Sequence, residues 1–322
     1  MYMNQPILKV QDLNTYFSIR GGLLLKEIAK IHAVDGVSFD IKKGRIMGLV
    51  GESGCGKTTL AKSILRLIEP TKGKIFFDGI DITKLGKEEM QKIRRRMQMI
   101  FQDPYTSLSP RMTIGDIISE PLDVHRITDG QDKLESIKEM LKLVGLSEEH
   151  IDRYPHQFSG GQQQRIGIAR AMIMNPEFII ADEPVHSLDV SVRAQILNLI
   201  NSLQQKLGLT ILFISHDLSI VQYMSDFVAV MYLGKILEMA DTDTLYNNPL
   251  HPYTKALIAA VPIADPTIKK KRILLSGSIP TPINPPLGCR FQERCIYNKP
   301  RCNEEPKLKE YENNHWVACH FI

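Results

Sequence analysis

Apolar and polar side chains alternate over residues 7–17 and 32–41, the two-residue period of half-buried strands. These two stretches predict a mostly antiparallel sheet, with an irregular segment, residues 18–30, between them. Residues 47–50 form an apolar strand that runs into a glycine-rich turn, and LAKSILRLI beyond it has helical period. Residues 73–77 read as another strand, closed by a turn at Asp78-Gly79, and residues 87–99 as a charged helix. A short apolar strand then ends at Gln102-Asp103-Pro104, where proline breaks the pattern. Over residues 113–146 the spacing is helical again, and IGIARAMIM after FSGGQQQR is a further helix. FIIA ends in Asp182-Glu183-Pro184, residues 192–207 are helical, and ILFIS ends in His216-Asp217. Strands alternating with helices predict an α/β fold with an antiparallel β part and a helical insertion.

Composition narrows the class. The 322 residues are 43% apolar, enough for a sizeable core, and 40 basic against 36 acidic residues give a net charge of +4. So balanced a charge argues against nucleic acid as a partner, and the run Arg94-Arg95-Arg96 reads as a solvated helix face. No apolar stretch approaches the roughly 20 residues of a membrane span. The first residues lack a basic segment followed by an apolar one, so the expected location is cytoplasmic.

The chemistry centres on the glycine-rich turn. Gly51, Gly56, Lys57 and Thr58 satisfy G-x-x-x-x-G-K-[ST], a loop whose backbone N–H groups wrap a triphosphate, with the lysine on its outer oxygens and the hydroxyl on Mg²⁺. Its glycines let the phosphates come close, and the helix that follows offers unpaired N–H groups and a favourable dipole. Ser159 is an ordinary helix cap, but Gly160 and Gly161 beside it make a second anion site plausible. Asp182, acid at the end of a strand, suits magnesium in a phosphate-loop protein, and Glu183 suits a proton acceptor for water. Phe17 or Tyr16 offers a face for a purine base, a core aromatic being the plainer alternative.

With Gly51 to Thr58, Gln102, Ser159-Gly160-Gly161-Gln162, Asp182-Glu183, Leu188-Asp189 and His216 in this order, the chain resembles an ABC-transporter ATP-binding subunit over roughly residues 7–240. His251-Pro252-Tyr253 and the proline-rich residues 280–286, an extended tether by composition, resemble the C-terminal extension of the dipeptide, oligopeptide and nickel uptake subfamily, in the second of its two ATPase subunits. The resemblance implies a nucleotide-binding domain over residues 1–240, with a helical insertion over about 103–175, and an extension over 241–322. Gly51, Ser53, Gly54, Cys55, Gly56, Lys57, Thr58 and Thr59 would hold ATP, with Phe17 matching the adenine-stacking position better than Tyr16. Thr58, Gln102 and Asp182 would serve Mg²⁺, Glu183 would polarise water, and Gln102 and His216 would sense or contact the γ-phosphate. Ser159, Gly160, Gly161 and Gln162 would help bind the nucleotide of a partner subunit. The implied partners are a sister ATP-binding subunit, a heterodimer being expected over a homodimer, two transmembrane permease subunits, and indirectly an extracytoplasmic solute-binding protein. The chain would then work at the cytoplasmic face of the membrane. One departure is His186-Ser187, where the family usually has small residues. The alternative is a soluble ABC ATPase not coupled to transport, which would typically carry two cassettes or a long coiled-coil insertion.

Cys289, Cys295, Cys302 and Cys319 are spaced C-x5-C-x6-C-x16-C in a tail poor in apolar residues, while Cys55 stands apart in the phosphate loop. Such a tail suggests an inorganic core, either an iron–sulfur cluster or Zn²⁺, for which His320 could substitute as a ligand, unligated thiols being the remaining alternative. The subfamily resemblance favours a [4Fe–4S] cluster.

Overall fold

The computed structural model describes residues 6–21, 26–127, 131–261, 273, 275, 277, 280–312 and 314–322. Chain order begins with strands β1 (Pro6–Gly21), β2 (Lys26–Lys42) and β3 (Ile46–Val50), then helix α1 (Lys57–Ile64), β4 (Lys72–Phe77) and β5 (Ile80–Asp81). Next come α2 (Lys87–Arg96), β6 (Met97–Ile100), α3 (Pro104–Ser107), α4 (Ile114–His125), α5 (Gln131–Leu143), α6 (Gly160–Met172) and β7 (Phe178–Asp182). The rest is α7 (Val190–Leu207), β8 (Thr210–Ser215), α8 (Leu218–Met224), β9 (Phe227–Tyr232), β10 (Lys235–Asp241), α9 (Thr242–Asn247), α10 (Pro252–Ala260), β11 (Lys309–Glu312) and β12 (His315–Val317).

Two expectations need correcting. The segment between the first two strands is not irregular throughout, since β1 extends to Gly21 and β2 begins at Lys26, leaving residues 22–25 outside the described residues. Helix α2 stops at Arg96 rather than continuing to residue 99, because Met97, Met99 and Ile100 are buried in a strand paired in parallel with β7, Met97 opposite Phe178. Tertiary pairing there overrides a helical period. The proline-rich segment 280–286 is held against β2: Ile283 bridges Ile31, and the His32 N–H donates to the Pro282 carbonyl at 3.0 Å.

The chain divides into two compact units. One contains residues 42–45 and 85–212. Its α4 starts at a capping box in which the Thr113 hydroxyl accepts from the Asp116 N–H, and α6 packs against α4, α5 and α7. A Cβ on Gly161 would lie 2.3 Å from Val192, so that glycine is required by the α6–α7 contact.

The other unit contains residues 6–41, 46–84 and 213–322. It holds a four-stranded sheet, β2-β1-β4-β5, with β1 and β4 antiparallel, and the series β11-β12-β10-β9-β3, in which β3 and β9 run parallel. All five residues of β3 are buried, the mark of a strand covered on both faces.

The segments after β10 are stapled to this unit by Glu238, which has no exposed surface. Its carboxylate accepts from the backbone N–H groups of Leu250 at 2.7 Å and His251 at 2.9 Å and bonds His315 Nε2 at 2.7 Å. A buried carboxylate is tolerable only with such a full set of partners. His251 in turn caps α10, its Nδ1 accepting from the Tyr253 N–H at 3.0 Å, and Pro252 sits at the first helical position. Tyr253, fully buried, packs on Tyr232 and Phe291 at ring separations of 4.8 and 5.4 Å. The His-Pro-Tyr triplet is therefore cap, helix start and core anchor in successive residues.

Burial pulls the His251 pKa from its ordinary 6.5 down to about 3, so the folded chain keeps the ring neutral. A pKa depressed on folding gives stability that is complete above about 6.5 and lost as pH falls towards about 3, with a limiting slope of about 1.4 kcal/mol per pH unit. We expect urea midpoints to drop over that window. His251→Asn, which can still cap, should show a shallower drop; identical pH profiles for the two proteins would refute this role.

Candidate functional site

The phosphate loop joins β3 to α1 in the unit containing residues 46–84. Helix α1 is preceded by Gly56 at the cap position, at φ 110°, with no side-chain cap and no acid in the first turn, so the N-terminal N–H groups face an environment suited to an anion. A Cβ on Gly54 would meet nothing within 4 Å, and its φ of 79° is what a loop tip requires. Gly51 and Gly56 have a different reason to be glycine: a Cβ would fall 2.1 Å from the Met231 carbonyl oxygen and 2.0 Å from that of Ala33. They are required by the backbone behind the loop, not only by a ligand in front of it. Lys57 is buried and donates to the carbonyls of Gly51 at 2.8 Å and Glu52 at 3.1 Å. Cys55 is buried in the loop, and burial raises its thiol pKa. Ser53 and Gly54 are exposed, while Thr58 and Thr59 lie on the first turn of α1, partly exposed.

Of the two candidate stacking aromatics, Tyr16 is engaged: it packs on His32 at 4.2 Å and its hydroxyl donates to Asp35 at 2.6 Å. Phe17 is exposed, with 38% of its surface accessible, which leaves the ring face for a base. His216 follows β8 and is exposed, and the next residue, Asp217, caps α8 by accepting from Ser219 and Ile220.

The acids lie in the unit containing residues 85–212. Asp182 is buried at the end of β7. Glu183 has φ 45°, a left-handed conformation that costs a non-glycine residue about 1 kcal/mol or more and turns the chain sharply off the strand. Gln102 Nε2 donates to Glu183 Oε2 at 3.3 Å, and His186 Nδ1 lies 3.4 Å from the same oxygen. The unusual histidine thus sits on the candidate base. At the start of α6, Ser159 and Gln162 close a capping box, so the serine hydroxyl is a cap as expected, and of the two glycines only Gly160 is exposed.

Sequence reasoning missed how the loop is held from outside. The Glu52 N–H donates to the Tyr253 hydroxyl at 3.0 Å, and the Glu52 carboxylate takes a two-pronged ion pair from Arg294 at 2.6 and 3.0 Å. A signal was present: a carboxylate inside an anion-binding loop asks for a counter-charge.

The four tail cysteines are brought together. Cys289 and Cys302 are buried, Cys295 and Cys319 half-buried, and the Cys289 N–H donates to the Cys302 carbonyl at 2.8 Å. Burial and the neighbouring sulfurs push the Cys289 thiol up to about 11, while backbone N–H groups of Phe291, Tyr297 and Phe321 reach the sulfurs of Cys289, Cys295 and Cys319. His320 Nε2 bonds the Glu304 carbonyl at 3.0 Å.

Residues 34–186 match the family model for the ABC transporter, and residues 237–302 match that for the oligopeptide/dipeptide transporter C-terminal region. The chain is 51% identical over 320 residues to the oligopeptide transport ATP-binding protein AppF of Bacillus subtilis (strain 168), covering 98% of this chain and 97% of that one. It belongs to the ABC transporter family. A putative peptide import ATP-binding protein of Brucella ovis is also 51% identical, over 315 residues, covering 98% of this chain and 97% of its own. Among solved structures, the dimeric post-hydrolysis state of the ATP-binding cassette MJ0796, bound to ADP and Pi, is similar with a TM-score of 0.65 and 28% identity, covering 73% of this chain and 98% of that one. This ABC subunit is an ATPase, and ATP with Mg²⁺ is what its site works on. Among the described residues, no helix is long and apolar enough to cross a membrane.

Proposed function

We propose that this subunit hydrolyses ATP to drive uptake of oligopeptides or dipeptides through a membrane ABC transporter. The observation that carries this is the joining, in one chain, of the full ATPase motif set to the peptide-transporter C-terminal region, along with 51% identity to AppF. In this reading the loop from Gly51 to Thr59 wraps the triphosphate, Lys57 supplies charge-assisted bonds to it, and Phe17 stacks on adenine. Thr58, Gln102 and Asp182 are the residues for Mg²⁺, which when bound neutralises phosphate charge; a buried carboxylate at a strand end fits that use. Glu183 takes the proton of the attacking water, oriented by Gln102 and His186, and His216 contacts the γ-phosphate. We expect Glu183→Gln to keep ATP binding and slow single turnover about 10²- to 10⁴-fold, and Lys57→Ala to weaken ATP binding itself. Equal single-turnover rates would refute the base, and equal affinities the lysine.

The capping box at Ser159 leaves Gly160 exposed, and the similar MJ0796 cassette is dimeric, which supports a working pair of ATP-binding subunits. The partner is a sister chain, bound with two permease subunits at the cytoplasmic face and served by an external solute-binding protein. An assembled transporter purified with two copies of this chain and no sister would contradict that pairing.

The tail cysteines hold a [4Fe–4S] cluster. Four gathered sulfurs, three of them receiving backbone N–H groups, fit thiolate ligands, since such bonds stabilise sulfur-borne charge. Protein purified without oxygen should be brown and carry roughly four irons and four sulfides per chain, lost in Cys295→Ser but kept in Cys55→Ser. Stoichiometric zinc without acid-labile sulfide would overturn this assignment.

A further inference from the structure

Glu52 is an acid in the middle of a loop that must receive a polyanion. Left to itself, its carboxylate would repel the phosphates that the loop is shaped to hold. Two residues far along the chain act on it. Arg294 is buried, sits 5.8 Å from the centre of the Tyr232 ring, and grips both Glu52 oxygens, at 2.6 and 3.0 Å. Planar two-pronged pairs of this kind fix direction as well as charge. The hydroxyl of Tyr253, also fully buried, accepts the Glu52 backbone N–H at 3.0 Å. Side chain and backbone of one loop residue are thus held from outside, and the holders are joined to each other through Phe291, which packs 5.4 Å from both Tyr253 and Tyr232.

We propose that Arg294 and Tyr253 are positioning residues of the nucleotide site, so that the C-terminal segments set ATP affinity within the same chain by turning the Glu52 carboxylate aside and fixing the loop. This rests on the reading of residues 51–59 as the ATP loop. Arg294 acts through Glu52 and need not touch nucleotide. Its charge cancels the acid, and its hydrogen bonds draw the carboxylate towards the Tyr232–Phe291 side of the loop. Burial of the arginine, 8% exposed against 23% for the Glu52 side chain, stiffens the pair, because the guanidinium has little water to turn to. The effect is on affinity rather than on the chemical step, which the proposed base Glu183 serves.

The test is a thermodynamic cycle on the full-length chain, with ATP binding measured by a fluorescent ATP analogue and turnover measured alongside. Arg294→Ala should raise the dissociation constant roughly tenfold while changing kcat at saturating ATP less than about twofold. In a Glu52→Gln background the same substitution should cost no more than about twofold, because the charge it controls is gone. Arg294→Lys, which keeps the charge and loses the fork, should fall between and carries the test if Arg294→Ala does not fold. Tyr253→Phe should weaken binding severalfold with kcat retained. An Arg294→Ala protein that melts earlier yet binds ATP as wild type does would overturn the proposal, as would an equal loss of affinity in the wild-type and Glu52→Gln backgrounds. Lys57→Ala separates the two levels: if it too leaves ATP affinity unchanged, the loop reading itself fails and this inference fails with it.

Discussion

A loop that binds phosphate with its own backbone N–H groups has few of them left to hold itself together, so much of its shape must be imposed by what surrounds it. Here the imposition is close. The carbonyls of Met231 and Ala33 lie where side chains on Gly51 and Gly56 would be, the Gly234 N–H donates to the Cys55 carbonyl at 2.9 Å, and Lys57 ties across to Gly51 and Glu52. Much of the unit is arranged to deliver these contacts. β9 runs parallel to β3 with Val50 opposite Val230, which brings Met231 behind the loop, and the turn at Leu233-Gly234 follows at once. A loop pinned in this way needs little reorganisation when an anion arrives.

The same constraint gives the segments after β10 a structural meaning. They dock through one buried acid, Glu238, whose three partners come from Leu250, His251 and His315, residues on two separate stretches of chain. From that staple the His-Pro-Tyr triplet carries Tyr253 to Glu52, and the cysteine-bearing stretch carries Arg294 to the same residue. Arg290, close by, pairs with Asp35, which also receives Tyr16 and lies 3.5 Å from Lys235. That network explains why the exposed aromatic is Phe17 and not Tyr16.

What could be read from the sequence was whatever repeats locally or matches a short pattern. The strand, loop and helix around Gly51 to Thr58 follow from periods of two and 3.6 and from glycine chemistry, and α4 and α5 followed from their spacing. The limits of α2 and β6 did not, because the burial of Met97 and Met99 is decided by β7, some 80 residues later. Nor did the reason for Gly51 and Gly56, which lies in the carbonyls of distant residues. The hold of Tyr253 and Arg294 on Glu52 spans 201 and 242 positions. No pattern along the chain encodes such a pairing; only the misplaced charge of Glu52 hinted that one was needed.

Amide hydrogen exchange reads, without nucleotide or activity, whether the C-terminal segments are part of the phosphate loop's structure. In the wild-type chain, the Glu52 amide should exchange slowly, since its proton is committed to the Tyr253 hydroxyl. In Tyr253→Phe, exchange in the loop should accelerate by about tenfold or more, while residues of β3 keep their protection. Unchanged exchange at Glu52 in that variant, or equal loss throughout β3, would contradict that role for the C-terminal segments.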